Sequence, residues 1–87
     1  MYSLEIRPAL YGLFQKMGKK DRHRLERINK KVKQILENPE RFKPLGNVMH
    51  GLHRVHIDGS FVLTYSIDEK RNTVILEDFD HHDQVYK

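Results

Sequence analysis

Residues 52–67 read Leu52-His53-Arg54-Val55-His56-Ile57-Asp58-Gly59-Ser60-Phe61-Val62-Leu63-Thr64-Tyr65-Ser66-Ile67. Two runs rich in β-branched and aromatic residues flank Asp58-Gly59, a dipeptide suited to a two-residue hairpin turn. The period of two sends Val55 and Ile57 to one side of the first strand and Arg54 and His56 to the other. In the second strand Phe61, Leu63, Tyr65 and Ile67 share one face, while Val62, Thr64 and Ser66 share the opposite one. Asp68–Asn72 reads as a further turn, and Thr73–Phe79 as the third strand of a meander.

Upstream the pattern changes period. Tyr2–Arg7 alternates Tyr2, Leu4 and Ile6 against Ser3, Glu5 and Arg7, as a half-buried strand does. Pro8 ends that strand and suits the first turn of a helix. Ala9, Leu10, Leu13, Phe14 and Met17 then follow at helical spacing, with Gly18 as the expected stop. Asp21 is a plausible N-cap for a second helix whose apolar stripe is Leu25, Ile28, Val32, Ile35 and Leu36, closed by Asn38-Pro39. Residues 40–51 look irregular. The expectation is an α+β fold, with an N-terminal strand and a helical hairpin packed on a mainly antiparallel four-stranded sheet.

Composition narrows the possible functions. The chain has 87 residues, 38% hydrophobic and 32% charged, which fits a single domain over 1–87 with one thin core. It has no cysteine, so disulfide scaffolds and thiolate chemistry are excluded. No stretch approaches the ~20 apolar residues of a membrane span, so a cytoplasmic location is expected and no membrane partner. The net charge of +4 is unevenly spread. Residues 1–44 hold 12 basic and 5 acidic residues (+7), and residues 45–87 hold 4 and 7 (−3). Arg22, Arg24, Arg27, Lys30, Lys31 and Lys33 make the second helix a cationic surface. That surface suits a polyanion, although a solvated helix face would carry the same charges.

Five of the six histidines lie in the acidic half. Arg54 and His56 stand about 7 Å apart on one strand face, with His50 in line if the strand starts that early. The spacing suits a phosphodiester: a guanidinium holds non-bridging oxygens while an imidazole moves a proton. Two ordinary polar residues on a solvated sheet face would look the same. The tail Asp80-His81-His82-Asp83-Gln84-Val85-Tyr86-Lys87 offers a second titratable group and a ring, or else a polar end anchored by Tyr86. Metal ligation is the weaker reading. His53 points away from His50 and His56, which leaves only a set built from His56, His81, His82 and an aspartate. No nucleophilic elbow or phosphate-cradling glycine loop is present.

Element order and several segments together resemble the RelE/YoeB/YafQ toxin superfamily of type II toxin–antitoxin pairs, nearer its histidine-containing YafQ-like branch. The segments are Lys43-Pro44-Leu45, Gly51–Ile57, Phe61–Ile67, His81-His82 and Val85-Tyr86-Lys87. The resemblance implies a RelE/ParE-like fold and an mRNA interferase that blocks translation on the ribosome. Its reaction is attack of a ribose 2′-OH on the adjacent phosphate, needing no metal or other cofactor and leaving a 2′,3′-cyclic phosphate. Carried over position by position, the catalytic set is Arg54, His56, His82 and Tyr86, with Lys43, His81 and Ser60 as accessories. Arg24, Arg27, Lys30, Lys31 and Lys33 would bind RNA. A cognate antitoxin is the implied protein partner, with mRNA and the ribosome as targets. The sequence also departs from the pattern: Val62 stands where RelE has a phosphate-holding arginine, Ser60 where YafQ relatives have an acid, and Asp80 where glycine is usual. Asp78, Asp80 and Asp83 add negative charge. A ParE-like or catalytically weak toxin, acting on gyrase or the ribosome by binding alone, is the alternative. A small basic nucleic-acid-binding regulator is a third.

Overall fold

The computed structural model describes residues 1–42 and 51–85. The chain runs β1 (Ser3–Ile6), α1 (Pro8–Lys20), α2 (Arg22–Glu37), a 3-10 turn (Pro39–Arg41), β2 (Leu52–Ile57), β3 (Phe61–Asp68), β4 (Thr73–His81) and a terminal turn α3 (His82–Val85). The strand order is β1-β4-β3-β2, giving an α+β fold with a four-stranded sheet. β2, β3 and β4 form the antiparallel meander, and β1 pairs in parallel with β4. A parallel neighbour needs a long crossover, which the helical hairpin and the first two meander strands supply.

The helices follow from their stripes. Pro8 opens α1, and Leu10 and Phe14, one turn apart, are buried. Leu13, expected in the same stripe, lies on its flank and is exposed. Gly18 does not stop α1. The helix continues to Lys20, the Asp21 N–H reaches the Met17 carbonyl, and one residue joins the two helices. Asp21 then caps α2 by accepting from the Arg24 N–H at 3.2 Å. That carboxylate also offsets Arg22 and Arg24, which lie at the helix end where cations are disfavoured. Ile28, Val32 and Ile35 are buried, with Leu25 and Leu36 packed at their edges.

Facing them, the sheet contributes Val55, Ile57, Leu63, Tyr65, Val74, Leu76 and Phe79. Burying each such side chain is worth about 1.5–3 kcal/mol, so this one layer carries most of the stability. Tyr2, just before β1, and Ile6 at its end pack on the core, whereas Leu4 stays exposed. The β2–β3 connection differs from the two-residue expectation. Asp58 and Gly59 are both left-handed, at φ 57° and 74°, yet Ile57 pairs with Phe61 and Ser60 joins the loop. β4 extends to His81 rather than ending at Phe79.

A bulge in β4 decides which face its residues take. Thr64 opposes Asp78 but Tyr65 opposes Leu76, leaving Glu77 as the extra residue. Glu77 is held by Arg7, at 2.8 Å and 3.2 Å, and by the Ser66 hydroxyl at 2.6 Å. These bonds, the Arg7 guanidinium foremost, hold its carboxyl below the usual range. Beyond the bulge, Phe79 points into the core and Asp78 and Asp80 lie on the opposite face.

Candidate functional site

Arg54 and His56 sit on the sheet face turned away from the core, as the alternation of β2 requires. Cross-strand partners share a face, so two rows form there: His56–Val62–Asp80 and Arg54–Thr64–Asp78. His56 is exposed, and Val62 and Thr64 beneath the rows are buried. At the end of β4 the Ser60 carbonyl accepts from the His82 N–H at 2.8 Å, and α3 packs against β3 and β4. The result is a stacked pair of His56 and His82, ring centroids 5.4 Å apart and planes 26° apart. Two groups able to accept or donate a proton are thus brought together from residues 26 apart in the chain, beside a guanidinium.

His81 takes the other face. Its ring stands edge-on to Phe61 at 5.5 Å, and Phe61 stacks on Phe79 at 5.2 Å. Asp83 lies 3.8 Å from His81 and 3.9 Å from His82, but its side chain is largely exposed, where such pairs contribute little. His53 points inward. It stacks on Tyr65 at 5.2 Å, and its Nδ1 lies 3.0 Å from the Phe42 carbonyl. Lys43, His50 and Tyr86 lie outside the described residues, as does most of the irregular segment.

The cationic helix borders this site. A groove between α2 and the β2 edge is lined by Arg27, Lys30, Lys31, Gln34, His56, Ile57 and Asp58. A neighbouring concavity is lined by Lys31, Phe42, Arg54, Val55 and His56. Both share Lys31 and His56, so positive charge runs from the helix to the histidine pair. Gln34 and Phe42 had no place in the sequence reading, since a glutamine in a basic helix and a phenylalanine in an irregular segment carry no signal of their own. Lys33 is exposed on α2 and borders neither concavity.

Arg24 is engaged elsewhere. Its guanidinium lies over the Phe61 ring at 4.4 Å, with a nitrogen 3.0 Å from Asp21 and Nε 3.5 Å from Asp58. The aspartates of β4 sit farther from the basic groups than sequence proximity implies. Asp78 and Asp80 are each a full strand beyond the residues paired with Arg54 and His56, roughly 9–10 Å across the sheet. Each also folds back on its own backbone, accepting from Phe79 N–H at 2.9 Å and His81 N–H at 2.7 Å. Among the described residues no group of three or more His, Asp or Glu could hold a metal ion. No helix there is long and apolar enough to cross a membrane.

The architecture is that of the RelE/YoeB/ParE toxins. The chain superposes on the YoeB/ParE toxin from Agrobacterium tumefaciens with a TM-score of 0.80, at 15% identity, covering 92% of this chain and 98% of that one. For the YoeB-YefM complex from Staphylococcus aureus the TM-score is 0.78 at 16% identity, over 94% and 98% of the two chains. The isolated Escherichia coli RelE toxin gives 0.73 at 23% identity, over 99% and 92%. At these identities the likeness is one of fold. Sequence relationship comes from a Methanocaldococcus jannaschii protein named "Putative toxin RelE4", 47% identical over all of this chain and 93% of its own length. An uncharacterized protein of Methanosarcina mazei is 52% identical over 99% of this chain and its own full length. The family described as ParE toxin of type II toxin-antitoxin system, parDE, matches residues 10–86, and the chain belongs to it.

Proposed function

We propose that this toxin is a metal-independent endoribonuclease that cleaves mRNA on the ribosome. The observation carrying the proposal is the stacked His56–His82 pair beside Arg54, at the end of a cationic groove. One histidine takes the proton from a ribose 2′-OH as its oxygen bonds to phosphorus. The other gives a proton to the departing 5′-oxygen as the P–O5′ bond breaks. The products are a 2′,3′-cyclic phosphate and a 5′-hydroxyl. Arg54 would hold the non-bridging oxygens, whose charge grows in the transition state. Tyr86 is assigned to orient the nucleotide, with Lys43, Ser60 and His81 accessory. Arg27, Lys30 and Lys31 would track the RNA backbone into the site, with Lys33 and Arg24 outside that path.

The test is cleavage of mRNA on programmed ribosomes by the purified toxin, with end-group analysis of the fragments. Fragments ending in 2′,3′-cyclic phosphate support the reading. Growth arrest with intact mRNA would sink it. A second reading is a toxin that acts by binding alone, on gyrase or the ribosome. It is favoured by the ParE family match and by Val62, buried where RelE places an arginine. Inhibition of gyrase supercoiling without RNA cleavage would select it. In either case we infer a cognate antitoxin as partner, supported by the toxin–antitoxin family itself and by the YoeB-YefM complex among its structural neighbours. Co-purification with the product of an adjacent gene tests that.

A further inference from the structure

The loop between β2 and β3 links both members of the histidine pair. His56 lies two residues before Asp58, and two residues after it the Ser60 carbonyl receives the His82 N–H at 2.8 Å. The shape of Asp58-Gly59-Ser60 therefore sets where the start of α3 stands relative to β2. Asp58 and Gly59 take left-handed backbone at φ 57° and 74°, as an Asp-Gly turn readily does, so the turn's own shape is local and what remains to be fixed is its placement against the rest of the fold.

What holds it comes from α2. The Asp58 carboxylate meets Arg27 at 3.1 Å and 3.2 Å and Arg24 at 3.5 Å, and its side chain is only 23% exposed. Arg24 is fastened in turn, with Asp21 at 3.0 Å and the Phe61 ring beneath it. Phe61 is the residue paired with His81, immediately before His82. Arg27 thus grips the loop from which both histidines are set, and Arg24, one turn away, adds a longer ion contact through an Nε that makes no hydrogen bond of its own.

We propose that Asp58 and Arg24 are positioning residues, forming a clamp that fixes the His56–His82 separation and through it the rate of RNA cleavage. The catalytic half of this inference rests on the nuclease reading above; the geometric half does not. Arg24 borders neither concavity, and Asp58, at the wall of the groove, carries a carboxylate that would repel phosphate rather than hold it, so both act through the histidines. Misplacing a reacting group by about 1 Å can cost up to ~100-fold in rate.

The experiment compares wild type with Asp58→Gly, Asp58→Asn and Arg24→Lys. Asp58→Gly removes the carboxylate while easing the left-handed backbone, so it is the variant best able to fold; a thermal melt verifies that. Two readouts are taken: the NMR cross-relaxation between the His56 and His82 rings with hydrogen exchange of the His82 amide, and kcat and KM for mRNA cleavage on programmed ribosomes. The clamp predicts that Asp58→Gly weakens the ring contact, speeds exchange at His82 and lowers kcat ~10-fold or more with KM within about twofold. Asp58→Asn, which keeps hydrogen-bond acceptance and tolerates the left-handed region, should recover part of both. Arg24→Lys should fall between, having lost the fork and the Phe61 contact. A folded Asp58→Gly with the ring contact and His82 exchange unchanged overturns the proposal. Altered ring geometry in Asp58→Gly, with wild type itself not cleaving RNA, leaves the geometric clamp standing and overturns the nuclease reading instead. A rise in KM at constant kcat would make Asp58 a binding residue and also overturns it.

Discussion

His53 and His56 lie three residues apart on β2, and each stacks on a second ring, Tyr65 at 5.2 Å for the first and His82 at 5.4 Å for the second. An odd spacing on a strand puts them on opposite faces, and everything else follows from that. On the core face, the Phe42 carbonyl can only accept, so the His53 Nδ1 carries the proton and that nitrogen is committed. Its neighbour Tyr65 is fully buried, donates to the Pro39 carbonyl at 2.6 Å, and has its phenol pushed far up by burial. On the other face His56 is exposed, and His82 is set beside it by one backbone hydrogen bond. One histidine ties β2 to the segment after α2. The other is free to meet a ligand. Identical side chains on one strand acquire separate roles from the face they occupy.

The sharpest way to break this contrast is to truncate each histidine in turn. His56→Ala and His82→Ala should each lower mRNA cleavage by ~100-fold or more, with the thermal melt little changed, because proton transfer of this kind contributes about 10²–10⁴-fold. Removing both should cost less than the product of the single effects, since the two act as a unit. His53→Ala should do the reverse. It loses a hydrogen bond and a ring contact, together about 1–2 kcal/mol in urea unfolding, while the folded protein cleaves as before. If His53→Ala abolishes cleavage in folded protein, the division between faces is wrong.

A finer cut is Tyr65→Phe, which removes only the bond to Pro39. It should cost about 1 kcal/mol, read as a lower urea midpoint at unchanged m-value. The smallest effect is expected at the bulge. The Glu77 carboxyl is lowered in the fold, so its contribution is present above its ordinary value of 4.5 and is lost as pH falls through the folded value. Glu77→Gln should be less stable than wild type at neutral pH, and the gap should close as the pH is lowered below 4.5 in parallel urea titrations. A gap that persists in acid would assign the effect to bulge packing rather than to the Arg7 pair.

Much of the fold was legible because its signals are local. The alternation in 52–57 and 61–67, the stripe Ile28–Val32–Ile35, the Asp21 cap and the Pro39 stop each depend on residues within one turn or strand. At two turns the deciding partner lies just past the residues that carry the signal. Gly18 reads as a helix stop, yet α1 continues because a later N–H closes its last turn. Asp58-Gly59 reads as a two-residue turn, yet pairing of Ile57 with Phe61 makes it three. The candidate site was legible as a set of residue types and faces. Nothing in the sequence tells that Arg24 lies against the hairpin loop instead of facing a ligand, or that Asp78 and Asp80 stand two strands from Arg54 and His56. Those are matters of register, and register is set by contacts between strands.

By itself the sequence determined two half-buried strand patterns, two amphipathic helices, a basic half and a histidine-rich acidic half. It also placed Arg54 and His56 on the face opposite Val55 and Ile57, because a period of two leaves no other choice. The tertiary structure alone decided that His82, not His81, meets His56. The Glu77 bulge shifts the alternation of β4 by one residue, turning Phe79 and His81 to the core side, while the Ser60 carbonyl catches the next amide. A one-residue shift in register exchanges the two faces of a strand, and only the packed sheet fixes where it falls.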